Sequence, residues 1–341
     1  VSERRRILFI GGSINQTTQM QQVARELPEH EHAFTPYFCE GLSGWALRAG
    51  LGEFTVAGRK LVRRCLDHLE REGLPVDFGG RRGPYDLVVT SSDLVVQGVA
   101  RRSPLVVVQE GILDPEGWEY RLWRRLPFLP RWMAGTATTG LSRAYERLCA
   151  ASEGYRDHFV ARGADPEKVV VTGIPNFDDC RRFLRNDFPH RGYVLVCTSD
   201  ARETLKSDDR RAFLQRCRLI AAGRPLVFKL HPNENAERAT REIREIVPDA
   251  LVFASGCAEE MIANCDVLVT QYSSTVFVGL ALGKECHSYW DLGLLRRLMP
   301  VQNGCAARNI AAVCREVLAG SSARERAARL AGFPLPEAEL P

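Results

Sequence analysis

No stretch of the chain approaches the roughly 18 to 20 uninterrupted apolar residues of a membrane span, so nothing in it reads as a transmembrane helix. The eleven cysteines form no Cys-X-X-Cys pair, which excludes zinc-ribbon and thioredoxin-like readings. Standing singly, several in apolar contexts such as Cys197 and Cys265, they read as reduced, buried small hydrophobes. The first residues, Val1 to Arg6, hold no apolar core of a secretory signal, and together with the thiols they predict a cytoplasmic protein. Charge of neither sign dominates: the net charge is +4, too mild for a dedicated nucleic-acid binder. There is no Gly-X-Ser-X-Gly elbow of a serine hydrolase and no Gly-X-Gly-X-X-Gly fingerprint. No Asp-X-Asp sits in a loop to bridge a metal ion to a diphosphate, and no internal repeat or low-complexity segment occurs.

What the sequence does have is alternation. Short Val/Leu-rich runs, each ending in polar residues, recur between segments of helical spacing. They include 6–10, 86–92, 104–111, 168–172, 193–197, 225–229, 250–254 and 266–270. Runs apolar throughout are what a parallel sheet buries on both faces. The 341 residues exceed one core and fit two domains of about 150 each. The fold class expected is therefore α/β, with two Rossmann-like domains facing a cleft. The expected boundaries are 1–180, 181–320 and a C-terminal tail over 321–341.

Two loops near the end of the chain organise the rest. Leu226-Val227-Phe228 leads into Lys229-Leu230-His231-Pro232-Asn233-Glu234, and Val267-Leu268-Val269 leads into Thr270-Gln271-Tyr272-Ser273-Ser274-Thr275. Polar residues at the carboxyl ends of parallel strands are where an open sheet keeps its ligand. Ser273, Ser274 and Thr275 precede a predicted helix over 276–282, so several backbone amides there are expected to be free at the positive end of a helix dipole, a seat for phosphate. Plain N-capping is the other reading of these hydroxyls.

His231-Pro232 followed some forty residues on by Ser273-Ser274 resembles the HP and SS motifs of cytidine-nucleotide-using transferases of the GT-B superfamily. Bacterial sialyltransferases, Kdo transferases and CDP-glycerol glycerophosphotransferases are examples. The run Val169 to Asp178 resembles the domain-crossing segment of GT-B proteins, which UDP-GlcNAc 2-epimerases also carry. The resemblance implies that His231 contacts the donor's phosphate or ribose and that Ser273 and Ser274 hold its phosphate. Gln271, Tyr272, Thr275, Lys229, Pro232, Asn233, Gly173 and Pro175 stand on the same donor-side segments. It also implies that the loop after the first strand of the second domain, with Thr198, Ser199 and Arg202, approaches the phosphates.

In the first half, Gly11-Gly12-Ser13-Ile14-Asn15-Gln16 follows the first strand. In GT-B proteins the corresponding loop touches acceptor or donor phosphates. Gly12 and Ser13 are thus candidates for the donor, and Asn15 and Gln16 for the acceptor. Glycines needed for positive φ are the alternative at 11 and 12. Glu110, a carboxylate at a strand end, is a candidate general base, or else a loop residue bonded to backbone. His30 and His32 lack a third metal ligand and read as surface residues. Between 118 and 133 three of the five tryptophans fall among four arginines. That segment could rest on an anionic bilayer surface or hold a lipid-linked acceptor, form a buried lid, or make a dimer contact, and Pro127 and Pro130 prevent one continuous helix. Helices are also predicted over 45–72, 141–149 and 306–318.

These readings converge on a metal-independent glycosyltransferase. It would move a sugar, or a glycerol-phosphate-like unit, from a CMP-, CDP- or UDP-linked donor to an acceptor hydroxyl in surface-polysaccharide or glycolipid synthesis. No cofactor beyond that donor is expected, nor a nucleic-acid partner. A UDP-GlcNAc 2-epimerase-like enzyme and a non-catalytic nucleotide-sugar-binding protein are the alternatives; Ser273-Ser274-Thr275 stands where such epimerases have Ser-Gly-Gly. The protein would be cytoplasmic, with the 118–133 segment a candidate for peripheral contact at the inner face of the membrane.

Overall fold

The computed structural model describes residues 4–41, 44, 58–199, 202–203 and 208–330, with side chains to 321. The part of the predicted 45–72 helix before residue 58 lies outside the described residues, as do Asp200, Ala201 and Thr204 of the loop after 197 and the tail beyond 330. The chain divides into two compact units, Val1–Asn176 with Cys305–Pro341, and Phe177–Gly304.

The first unit is a parallel sheet of six strands in the order β2-β1-β3-β4-β5-β6. The strands are β1 (Arg6–Gly11), β2 (Glu31–Pro36), β3 (Leu87–Thr90), β4 (Leu105–Val108), β5 (Arg147–Ala150) and β6 (Val169–Val171). Its helices are α1 (Ile14–Arg25), α2 (Arg59–Arg71), α3 (Gly98–Arg102), α4 (Trp118–Arg125) and α5 (Glu153–Arg162). The second unit is a parallel sheet of five strands in the order β11-β10-β7-β8-β9. These are β7 (Val194–Cys197), β8 (Leu226–Lys229), β9 (Leu251–Phe253), β10 (Val267–Thr270) and β11 (Glu285–His287). It carries α6 (Arg210–Ala221), α7 (Ala236–Ile246), α8 (Ala258–Asn264), α9 (Val276–Ala281) and α10 (Leu292–Arg297). Every residue of β3, β4, β7, β8 and β10 is buried, as double-sided coverage of apolar runs requires.

The last helix, α11 (Ala306–Leu330), departs from expectation twice. It continues past 318, and it belongs to the first unit, so residues 305–320 leave the second. Its apolar face explains this: Ile310, Ala311, Cys314 and Val317 join Ile7, Phe9, Met20, Val23 and Leu27 in one core. Arg315 adds an ion pair to Glu29 (2.7 Å), and Asn309 Nδ2 donates to the Thr172 carbonyl (3.2 Å).

Two further expectations are corrected. The helix expected over 141–149 is absent, since 141–146 are irregular and 147–149 belong to β5; Asp93, fully buried, accepts the amides of Gly140 and Ser142 (3.0 Å each), and Arg143 turns to φ 56°. His30 is buried and His32 half-buried rather than superficial. His32 packs edge-on against Phe9 (5.5 Å), and burial holds both imidazoles below their usual pKa. In the 118–133 segment α4 does end before Pro127, and a 3₁₀ stretch begins only at Arg131.

Candidate functional site

Each sheet reverses its strand order beside its own first strand, between β1 and β3 in one unit and between β7 and β10 in the other. Such a reversal opens a crevice outside the carboxyl ends of the strands. Predicted site residues stand at both reversals.

In the first unit Ser13 caps α1, its Oγ accepting the Gln16 amide (3.1 Å). The same hydroxyl donates to Glu110 Oε1 (3.0 Å), while Gln16 Nε2 donates to Glu110 Oε2 (2.6 Å). The candidate base is thus oriented by both oxygens, with no ion-pair partner among the described residues. Ser13 and Gln16, expected to touch donor and acceptor, hold the Glu110 carboxylate. Asn15 is engaged too, its Oδ1 accepting from Asn176 Nδ2 (2.6 Å). Neither Gly11 nor Gly12 has positive φ. Gly11 is a glycine because a Cβ there would lie 2.7 Å from Thr17 Oγ1 and 3.0 Å from Thr17 Cα. Gly12 is buried, as is Pro175, while Gly173 does need glycine, at φ 85° on the way out of β6.

In the second unit the loop after β7 joins the loops after β8 and β10. Thr198 Oγ1 accepts the His231 amide (3.0 Å), and Ser199 Oγ donates to Gln271 Oε1 (2.6 Å). The His231 amide is shared with Glu234 Oε2 (3.0 Å), which Thr198 also hydrogen-bonds, and Glu234 in turn pairs with the buried Arg210. His231 Nδ1 accepts the Asn233 amide (3.2 Å). With Nδ1 an acceptor, the neutral imidazole carries its proton on Nε2, which makes Nε2 the donor. Pro232 between them is exposed.

Two cations expected to face a phosphate are occupied. Arg202 grips Glu242 with both terminal nitrogens (3.0 and 2.6 Å) and lies 3.6 Å from Asp208. Lys229 is buried, Nζ donating to the Leu230 carbonyl (2.9 Å), and desolvation lowers its pKa. The amides of the first turn of α9, expected to be free, are also used: those of Val276, Phe277 and Val278 donate to the carbonyls of Ser273, Ser274 and Thr275 (3.3, 3.0 and 3.1 Å). A six-residue helix adds little dipole of its own. The hydroxyls themselves are what this loop offers, with Ser273 Oγ and Thr275 Oγ1 2.9 Å apart. Tyr272 is 62 % exposed, its ring steadied edge-on by Tyr289 and Trp290 (5.4 and 5.7 Å).

Sequence reasoning missed the Arg210–Glu234 pair and the clasp formed by Gln302. Glu234 sits three residues beyond His231, in a strand-end loop where a capping carboxylate is common, so a signal existed; Arg210 carried none. Gln302 Oε1 accepts the Cys180 amide (3.1 Å), and Asp178 accepts the Gly304 amide (2.9 Å), fastening the ends of the second unit together.

The fold these units define is the GT-B-like type with two Rossmann-like domains. No protein-family model and no curated protein sequence matches the chain. Among solved structures it is similar to the UDP-GlcNAc 2-epimerase of Methanocaldococcus jannaschii, at 13 % identity and TM-score 0.54 over 91 % of this chain and 99 % of that one. It is also similar to the Neisseria meningitidis UDP-GlcNAc 2-epimerase bound to UDP-GlcNAc (14 %, TM-score 0.53, 91 % of each chain). The S. aureus MnaA–UDP structure is a third (12 %, TM-score 0.55, 92 % of this chain and 88 % of that one). At such identities the likeness is one of fold.

Proposed function

We propose that the protein is a metal-independent transferase that moves a glycosyl or glycerol-phosphate-like unit from a nucleotide-activated donor to an acceptor hydroxyl in surface-polysaccharide or glycolipid synthesis. The observation that carries this reading is the joining of the HP and SS loops through Thr198 and Ser199 in the second unit. The pairing sets an Nε2–H donor and a group of hydroxyls on the loops after β8 and β10, the two neighbours of β7, beside the reversal in strand order, which suits an anionic leaving group. For a glycosyl donor, the acceptor oxygen bonds to the anomeric carbon as the bond to the leaving phosphate breaks, its electron pair staying on the phosphate. The acceptor's proton passes to a carboxylate, the role we give Glu110. Gly12, Gly173 and Pro175 shape the strand-end backbone; Arg202 and Lys229 set the charge around the donor loops.

The epimerase alternative draws support from the fold neighbours, two of which are UDP-GlcNAc 2-epimerases, one bound to UDP-GlcNAc. Against it stand the hydroxyls of Ser273-Ser274-Thr275 in place of Ser-Gly-Gly. Thermal shift with CMP, CDP and UDP, followed by product analysis with the corresponding sugar nucleotides, separates them. Stabilisation by a cytidine nucleotide and a product joined to an acceptor are expected. A C2 epimer of UDP-GlcNAc as the sole product would overturn transfer, and no response to any nucleotide would overturn both readings.

A further inference from the structure

Thirteen large hydrophobic side chains are exposed among the described residues, and six of them (Trp118, Leu122, Leu126, Phe128, Trp132 and Met133) fall within sixteen positions of the first unit. Scattered singly, such residues need no explanation; this density does. Their exposure is not fraying, because the backbone that presents them is staked down. Tyr120 is buried under the Arg162 guanidinium (5.3 Å), which is itself fixed to Glu116 (2.9 Å) and the Ala137 carbonyl (2.9 Å). Trp123 Nε1 donates to the Leu129 carbonyl (3.1 Å), and Arg131 pairs with the buried Asp93 (3.1 Å). The segment therefore divides its aromatics, two anchoring it and the rest facing out.

Trp118 and Leu122, four residues apart, share one face of α4. Arg121, Arg124 and Arg125 are exposed between them and beyond, and none has an ion-pair partner among the described residues, whereas Glu119 is the one acidic side chain of the segment. Beside the patch opens a hollow of about 600 Å³, its wall including Trp132 and Leu129 and its polar lining including Arg101 and Arg143. Unpaired guanidinium groups among exposed tryptophan and phenylalanine match the interfacial layer of an anionic bilayer, where rings sit at headgroup depth and arginines meet lipid phosphates. A second copy of the chain would oppose arginine with arginine.

We infer that residues 118–133 dock the protein on the surface of anionic phospholipid membranes. The test is co-sedimentation of the full chain with vesicles of phosphatidylcholine alone or mixed with phosphatidylglycerol, alongside sedimentation equilibrium without lipid. Binding to the mixed vesicles, weakened by salt and absent on the neutral ones, is expected. Arg121→Gln/Arg124→Gln/Arg125→Gln should lower the partition coefficient on the order of a hundredfold, and Phe128→Ser/Trp132→Ser by at least about tenfold. Both variants alter exposed side chains, so their thermal midpoints and responses to nucleotide should match the parent, which separates this inference from the transferase reading. No binding to mixed vesicles at low salt, or binding that both variants retain, overturns it. So does a lipid-free dimer that Phe128→Ser/Trp132→Ser dissolves, since the patch would then belong to a second copy.

Discussion

The carboxylate at the end of β4 and the carboxylate in the loop after β8 are held in opposite ways. Glu110 receives only neutral donors, Ser13 and Gln16, and is half-buried. Glu234 is buried, faces the Arg210 guanidinium, and spends an oxygen on the His231 amide. In the second unit Glu242 and Asp208 likewise engage a cation, Arg202. The two strand-end carboxylates thus differ in what holds them, neutral donors in the first unit and a guanidinium in the second, a difference that the motifs alone did not reveal.

The largest effect should come from breaking the buried pair. Glu234→Ala leaves the buried Arg210 guanidinium with only the more distant Glu242 carboxylate (3.8 Å) and removes one of the two acceptors of the His231 amide, a loss of about 3 kcal/mol in unfolding free energy. Replacing both partners, as in Arg210→Met/Glu234→Met, should recover most of it. Urea unfolding measures both. A single variant within about 1 kcal/mol of the parent would mean that the pair holds nothing together, and the contrast with Glu110 would vanish.

Next is Glu110→Gln. The amide preserves size and can still accept from Ser13, but it cannot take a proton, so turnover should fall on the order of a hundredfold or more. Unfolding free energy and nucleotide response should hardly change. A variant that keeps full turnover would reduce Glu110 to a capping partner of the loop after β1, making the two carboxylates alike in being structural.

How far the sequence could be read follows the same line. The central strands were legible because burial on both faces demands unbroken apolar runs, as in Leu105 to Val108 or Val194 to Val196, whereas most of β5, which begins at Arg147, was taken for helix. Strand-end positions of Glu110, His231 and Ser273 were legible for the same reason. The unit to which α11 belongs was not: periodicity shows that Ile310 and Val317 share an apolar face, and only packing shows which sheet receives it. Nor could spacing show that Arg202 is bound to Glu242, forty residues away, or that Asp93 organises the turn at 140–142. Local pattern carries the elements, while pairings between distant charges decide which polar residues are left for a ligand.

The smallest expected effect separates the units by pH. His158, on α5 in the first unit, is pushed by burial to about 4, with Arg162 adding to the shift and Glu116 opposing it. The unfolded chain takes up this proton near pH 6.5 and the folded one only near 4, so between those values the unfolded state binds more protons and acid favours unfolding. Lys229, in the second unit, is lowered chiefly by burial from an ordinary value of 10.5. Its ammonium therefore opposes folding until pH rises through the folded pKa towards 10.5, and stability should climb on the alkaline side. His158→Phe should flatten the acid limb of a stability–pH profile and leave the alkaline limb, whereas Lys229→Met should do the reverse. Chemical unfolding across pH reads both limbs. If either variant altered both, the two units would not be independent in how they bury a base, and the separation drawn between their strand-end clusters would have to be redrawn as one coupled system.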